Sequence, residues 1–261
     1  MRNGFTFLRK TPRGRPRVPD RGSVVQQRSR VEPEYRIAGD FDVEGFTIST
    51  NILSESHCSA LGAEVASLEV AGAGTRELLS LGWTRLLARE LRRHEGLAHL
   101  LKDADTAIQC TYFSKSPTRN WLVSLHQDLS IPVKEHLPES PCSAWSRKEG
   151  AWFCQAPVEL LSRLVAIRVH LDDSTAENGP LRVVPGSHRL GRISSQDAVE
   201  HRRRLGEVSC TVPRGGTLAM RPLLLHASSK SSVDTPRRVL HFVFGPAQLP
   251  WATLAVYRLS S

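Results

Sequence analysis

From residue 106 to residue 245 the chain is a succession of short β-rich stretches, and nothing else in it narrows the possible folds so far. TAIQCTYFSK (106–115), WLVSLHQD (121–128), LVAIRVHLDD (164–173), PLRVVPG (180–186), EVSCTVP (207–213), GTLAMRP (216–222), LLLHASS (223–229) and RRVLHFVFG (237–245) are punctuated by Gly, Pro, Asp and Asn. In LVAIRVHL, Val165, Ile167, Val169 and Leu171 face one way and Ala166, Arg168 and His170 the other. Two helical patterns come first. One covers 54–70 with Ser54 as its cap. The other covers 74–101, with Leu78, Leu79, Leu86, Leu87 and Leu91 on a broad stripe interrupted by Gly82 and Gly96. Many short strands after two helices predict a mostly β fold, a double-sheet jelly roll with helices packed outside. Residues 129–163 lack period-two alternation and are expected to be an insertion over the mouth of the barrel. The alternating segment 36–48 leads into the domain, so 36–261 is expected to be one domain and 1–35 a disordered basic tail.

Composition enters mainly through charge. The net charge of the 261 residues is +9, but residues 1–30 hold eight Arg and one Lys against Asp20 alone, which leaves +1 for residues 31–261. A near-neutral domain is not expected to bind nucleic acid or a strongly anionic substrate. The tail reads as solvated; contact with an anionic surface and an organelle-targeting role are its rivals. Five cysteines, an odd number with no CxxC, and the lack of a secretory apolar segment near the start favour reduced thiols and a cytoplasmic setting. No apolar run is long enough to predict a membrane span. Nothing in the sequence sets an oligomeric state.

The chemistry is expected at His126-Gln127-Asp128. On a strand, residues i and i+2 point the same way, so an imidazole and a carboxylate project side by side. His226, at the end of an apolar strand pattern, is the candidate third ligand. Two His and one carboxylate leave coordination positions open for a cosubstrate and O2, which is the ligand set of non-haem Fe(II) oxygenases. Arg237, 11 residues after His226, begins the next strand pattern. Its planar fork suits the far carboxylate of 2-oxoglutarate. Ser228, two residues after His226, can add a hydroxyl donor. Alternation lets only one of Arg237 and Arg238 face the pocket, and the spacing favours Arg237.

With these residues in place, the chain resembles the phytanoyl-CoA dioxygenase family. The resemblance rests on WLVSLHQDLSI (121–131), VAIRVHLDDSTAENGPLRVVPGSHRLGRI (165–193) and GGTLAMRPLLLHASSKSSVDTPRRVLHFVF (215–244). It implies a cupin-like double-stranded β-helix. It also implies Fe(II) on His126, Asp128 and His226, with 2-oxoglutarate on Arg237 and Ser228, and O2. The implied reaction is hydroxylation of an unactivated C–H bond of a small molecule, with release of succinate and CO2. Because Asp128 is present, hydroxylation is favoured over halogenation. Leu125 stands where similar bacterial sequences often have Trp and is expected in a pocket wall.

Gln109 is a further candidate for cosubstrate contact. Trp145, Trp152 and Lys134, with Arg147 and Lys148, are candidates for substrate contact because they lie in the insertion. His170 reads as a satisfied polar residue, His188 as a fold-stabilising hydrogen-bonder, His241 as structural, and Asn178 and Gly179 as parts of a turn. The competing readings are a metal protein of cupin type that uses no 2-oxoglutarate, and a non-catalytic barrel whose basic tail docks to an anionic partner.

Overall fold

The computed structural model of the chain describes residues 40–68, 74–76, 78–116 and 119–246. The expected basic tail and the domain boundary at residue 36 lie outside them. Thirteen strands occur among the described residues and are numbered in chain order. Six form an antiparallel sheet in the order β1 (Phe46–Ser49), β11 (Thr217–Met220), β8 (Val165–His170), β13 (Arg237–Gly245), β3 (Thr106–Lys115) and β2 (Gly74–Thr75). Four more form a second sheet in the order β10 (Val208–Cys210), β9 (Leu181–Val183), β12 (His226–Ser228) and β4 (Val123–His126).

Period-two alternation divides the larger sheet's residues between two cores. On the outer face, Val165, Ile167 and Val169 of β8 and Leu240, Phe242 and Phe244 of β13 pack against helices. These are α2 (Glu55–Ala66), through Leu61 and Val65, and α3 (Gly82–Arg93), through Leu87 and Leu91. Each such side chain contributes about 1.5–3 kcal/mol by leaving water. On the inner face, Ala166, Leu218 and Met220 meet Leu181, Val183 and Cys210 of the smaller sheet. Two facing antiparallel sheets with helices outside make the expected jelly roll.

The helical stretches differ in detail from the sequence pattern. Ser54 caps α2 by accepting a hydrogen bond from the His57 amide at 3.2 Å. Gly82 starts α3 instead of interrupting it, and the break falls at His94, whose extended backbone separates α3 from α4 (Glu95–Ala98). Leu86 is exposed, not part of the buried stripe. A short α1 (Phe41–Glu44) precedes β1, and α6 (Ser195–Leu205), capped by Ser194, was not expected.

The insertion is also more ordered than its sequence suggests. It forms a three-stranded sheet in the order β5 (Ser130–Val133), β7 (Ala151–Gln155) and β6 (Ser143–Lys148), followed by α5 (Val158–Leu161). Ile131, Val133 and Cys154 join Leu160 and Leu161 in a core that reaches Ile108 and Val243 of the larger sheet. Among the described residues, no helix is long and apolar enough to cross a membrane.

Candidate active site

Antiparallel register brings the first two candidate ligands together. His226 of β12 stands directly opposite His126 of β4, and their ring centroids are 4.2 Å apart. Asp128 follows β4 and is fixed by its amide, which donates to the Pro222 carbonyl at 2.9 Å. His126 Nδ1 donates to the Ser124 carbonyl at 2.8 Å and His226 Nδ1 to the Leu224 carbonyl at 2.9 Å. A carbonyl only accepts, so each Nδ1 carries the proton and each neutral Nε2 presents a lone pair. Those lone pairs face Asp128, at 3.6 Å from His126 and 3.7 Å from His226. Both distances are too long for a hydrogen bond. One ligand atom from each residue lies within 4.8 Å of the others. Three acceptors converging with no donor among them suit a divalent cation, and imidazoles pinned at Nδ1 are the usual support for metal-bound Nε2.

The electrostatics agree with this arrangement. Burial pushes the His226 imidazole down to about 4, against the pull of the Asp128 charge. Burial would raise the Asp128 carboxyl, but His226, His126 and His241 together hold it well below the usual carboxylate range. At His126 burial lowers the pKa, but the nearby Asp128 charge and the hydrogen bond to the Ser124 carbonyl more than reverse this, so the net shift is upward.

Cations gather on two strands of the larger sheet. Arg237 of β13 pairs in register with Lys115 of β3, and both side chains are buried. Lys115 Nζ donates to Ser228 Oγ at 2.6 Å and to the Ser229 carbonyl, and Ser228 Oγ donates to the Gly179 carbonyl at 3.0 Å. Gly179 has φ of +70°, and a Cβ there would collide with the Ser229 carbonyl, so this approach requires glycine. Burial and the Arg237 and Arg168 charges push Lys115 down to about 7. Burial and Arg168 push Arg237 down to about 9, and its Nε has no partner among the described residues. Arg238 points the other way and pairs with Asp172 at 2.7 Å.

The candidate triad, Ser228, Lys115 and Arg237 open on one cavity of about 360 Å³. Gln109 lines it and donates to Thr111 Oγ1 at 2.9 Å. Gln127 is held by the Gly191 and Leu223 carbonyls and the Ile193 amide, so its polar atoms serve the fold. Trp145, Trp152 and Lys134 are not brought to the cavity. The two tryptophans pack around His136 with centroids 4.5 and 5.0 Å from its ring, and Lys134 is exposed. Phe153 and Lys148 of the same hairpin line the cavity instead. Leu125 is not in the cavity wall; it packs on the far side against Val184, Ala198 and Leu225.

Three histidines outside the candidate triad fare differently. His188 bonds the Asp42 carbonyl at 3.2 Å, a fold role. His170 is buried with no partner for either ring nitrogen among the described residues, so it is not the satisfied polar residue expected. His241 is more than structural. It lies between Arg168 and Thr111 in register, bonds Arg168 at 3.0 Å, and directs Nε2 to within 3.8 Å of Asp128. The signal was available: once Arg237 faces the pocket, strand alternation sends His241 the same way. Lys115 could have been found likewise, two pleats from Thr111.

Comparison with known proteins agrees with the architecture. The model of the phytanoyl-CoA dioxygenase family matches residues 41–239. No curated protein matches the chain. Among solved structures, the α-ketoglutarate-dependent epimerase SnoN from nogalamycin biosynthesis superposes with a TM-score of 0.60 at 18% identity, covering 87% of this chain and 86% of SnoN. HygX from Streptomyces hygroscopicus, solved with nickel and 2-oxoglutarate, gives 0.57 at 16% identity, covering 81% and 86%. EctD from S. alaskensis gives 0.57 at 20% identity, covering 85% and 82%. At such identities the likeness speaks for the fold, whereas the family model spans most of the sequence: the chain belongs to the phytanoyl-CoA dioxygenase family.

Proposed function

We propose that this protein hydroxylates an unactivated C–H bond of a small molecule, with Fe(II) held by His126, Asp128 and His226 and 2-oxoglutarate anchored by Arg237, Ser228 and Lys115. The observation that carries the proposal is the pairing, in one cavity, of three convergent acceptors with a buried cluster of cations. Iron, 2-oxoglutarate and O2 are the co-reactants of this class of enzyme. Bound iron supplies the redox chemistry: O2 is reduced at the expense of 2-oxoglutarate, which leaves as succinate and CO2, and one oxygen atom enters the substrate.

The protein's own groups then have separate tasks. His126 and His226 keep Nε2 available because a backbone carbonyl occupies each Nδ1. Asp128 supplies the third donor, and its low pKa keeps it ionised. Ser228 lies two residues beyond His226, roughly 7 Å along the strand. That reach is comparable to a five-carbon dicarboxylate. Arg237 and Lys115 would meet the far carboxylate there, and the unpartnered Arg237 Nε is a donor ready for it. Gln109 and Thr111 form the adjoining polar wall. Arg168 and His241 stand behind Asp128 and keep it from turning away. The β5–β7 sheet limits access of water to the cavity through Ile131 and Phe153. HygX has been solved with hygromycin B bound, which illustrates a small-molecule ligand in the same fold.

Anaerobic titration tests the reagents without a substrate. Fe(II)-loaded protein should develop a weak visible charge-transfer band as 2-oxoglutarate is added. The band should disappear in His226→Ala and require far more 2-oxoglutarate in Arg237→Ala. Iron binding without a band would refute the cosubstrate assignment, and no iron binding would refute the triad.

A further inference from the structure

We propose that the substrate carries an anionic group, a carboxylate or a phosphate, and that Lys148 is the residue that grips it. This rests on the iron and 2-oxoglutarate reading, since it concerns what remains of the cavity once those reagents are placed.

Five cations line the cavity, Arg76, Lys115, Lys148, Arg168 and Arg237, against one acid, Asp128. Four of the five have a partner or a task. Arg168 is bonded to His241. Lys115 is bonded to Ser228, with Arg237 beside it in register. Arg76 is tied to Glu149 by its guanidinium at 3.0 Å and its amide at 2.7 Å. The Lys148 side chain has no hydrogen bond or ion pair among the described residues, and its Nζ lies 5.0 Å from the centre of the Phe153 ring.

Lys148 is half-buried, and burial together with the Arg76 charge lowers its pKa, while the Asp128 charge acts the other way. Its side chain lines the same cavity as the candidate metal ligands. A partly desolvated, unpaired cation is costly, and an arriving anion removes that cost. The reagents leave the surplus in place, because the two positive charges of Fe(II) are matched by the two carboxylates of 2-oxoglutarate. Phe153, Ile131, Leu164 and Val243 form an apolar wall suited to a hydrocarbon body. The near-neutral average of the domain hid this: the cavity lining holds five cations against one acid, and acids elsewhere in the domain balance them.

The test uses the full chain loaded with Mn(II) and saturating 2-oxoglutarate, without oxygen, so that the cosubstrate end is filled and no turnover occurs. Octanoate, octyl phosphate and octanol are then titrated by calorimetry. At least one of the two anions should bind roughly tenfold or more tightly than octanol, which corresponds to about 1.4 kcal/mol. Which anion binds better distinguishes carboxylate from phosphate. Lys148→Ala and Lys148→Gln should erase the preference, whereas Lys148→Arg and the neighbouring Arg147→Ala should keep it. Neither anion exceeding octanol, or a preference that survives loss of Lys148, overturns the proposal. So does a preference that depends on Arg237 instead. The 2-oxoglutarate band fails separately: a normal band with no anion preference sinks only the substrate class.

Discussion

Along β13 the cavity residues Arg237, His241 and Val243 are at most 7% exposed, while along β6 every residue is half-buried or exposed. The difference follows from position. β13 is an interior strand, hydrogen-bonded to β3 on one side and β8 on the other, whereas β6 is the edge of the three-stranded sheet and pairs only with β7. An interior strand fixes its side chains by neighbours on both flanks. An edge strand leaves them room to move. Groups that must hold a constant cosubstrate thus sit on the first kind of strand, and the group proposed to meet the substrate sits on the second.

The sharpest way to break this division is at the metal. His226→Ala should lower Fe(II) affinity by about a hundredfold or more, since even altering the groups that support a ligand costs 10–100-fold. Equilibrium dialysis of iron checks it, and near-normal affinity would remove His226 from the site. Arg237→Ala should come next, with about 3 kcal/mol lost, roughly a hundredfold rise in the 2-oxoglutarate Kd, because a buried donor to a charged ligand disappears. Its neighbour Arg238→Ala should leave that Kd unchanged.

A pH effect of intermediate size belongs to the interior. Burial, with Arg168 and Arg237 close by, pushes His170 well below its ordinary value. The unfolded chain therefore takes up a proton near pH 6.5 that the folded chain refuses. Stability should fall as pH drops below about 6.5, with His170 contributing up to about 1.4 kcal/mol per pH unit. Urea unfolding at pH 7, 6 and 5 should show a shallower decline in His170→Leu; an unchanged slope would mean that His170 finds a proton partner. The smallest effect is expected at the edge. Glu149→Gln removes the charge that Arg76 pairs with, but the pair is half-exposed and the remaining amide oxygen still accepts a hydrogen bond, so stability should change by about 1 kcal/mol or less. Iron and 2-oxoglutarate affinities should not move. If they do, edge and interior are not separable.

The same contrast governs what the sequence discloses. β3 and β13 match their predicted spans because alternation of inner and outer faces runs through most of each strand, interrupted only by a register shift near Val243. HxD, His226, Ser228 and Arg237 could be read because the spacings within HxD and from His226 to Ser228 and Arg237 are short and fixed, even though Asp128 lies just beyond the end of β4. β5 carries Pro132 within it, and the β6–β7 pairing shifts register between Ser143 and Ser146, with Ala144 at φ of +49°. Those irregularities erase the period-two signal, so residues 129–163 read as an insertion without strand alternation. Trp145 and Trp152 looked like substrate contacts because they lie in the insertion, but the strand pairing there shifts register and they pack around His136 instead. Lys115 and His241 were within reach of simple alternation, while the tie between Arg168 and His241 depends on the register of β8 against β13, which no local pattern encodes.

One ligand strand departs from the rule of interior strands. β4 lies at the rim of the smaller sheet, bordered only by β12, yet it carries His126 and leads directly into Asp128, while His226 belongs to β12 itself. An ion held by all three would stitch the rim to its neighbour, so the reagent that drives the chemistry would also serve as a removable fastener. Chelation should then loosen residues 123–128 first, as local fraying that amide exchange detects, while the helix-backed sheet stays closed.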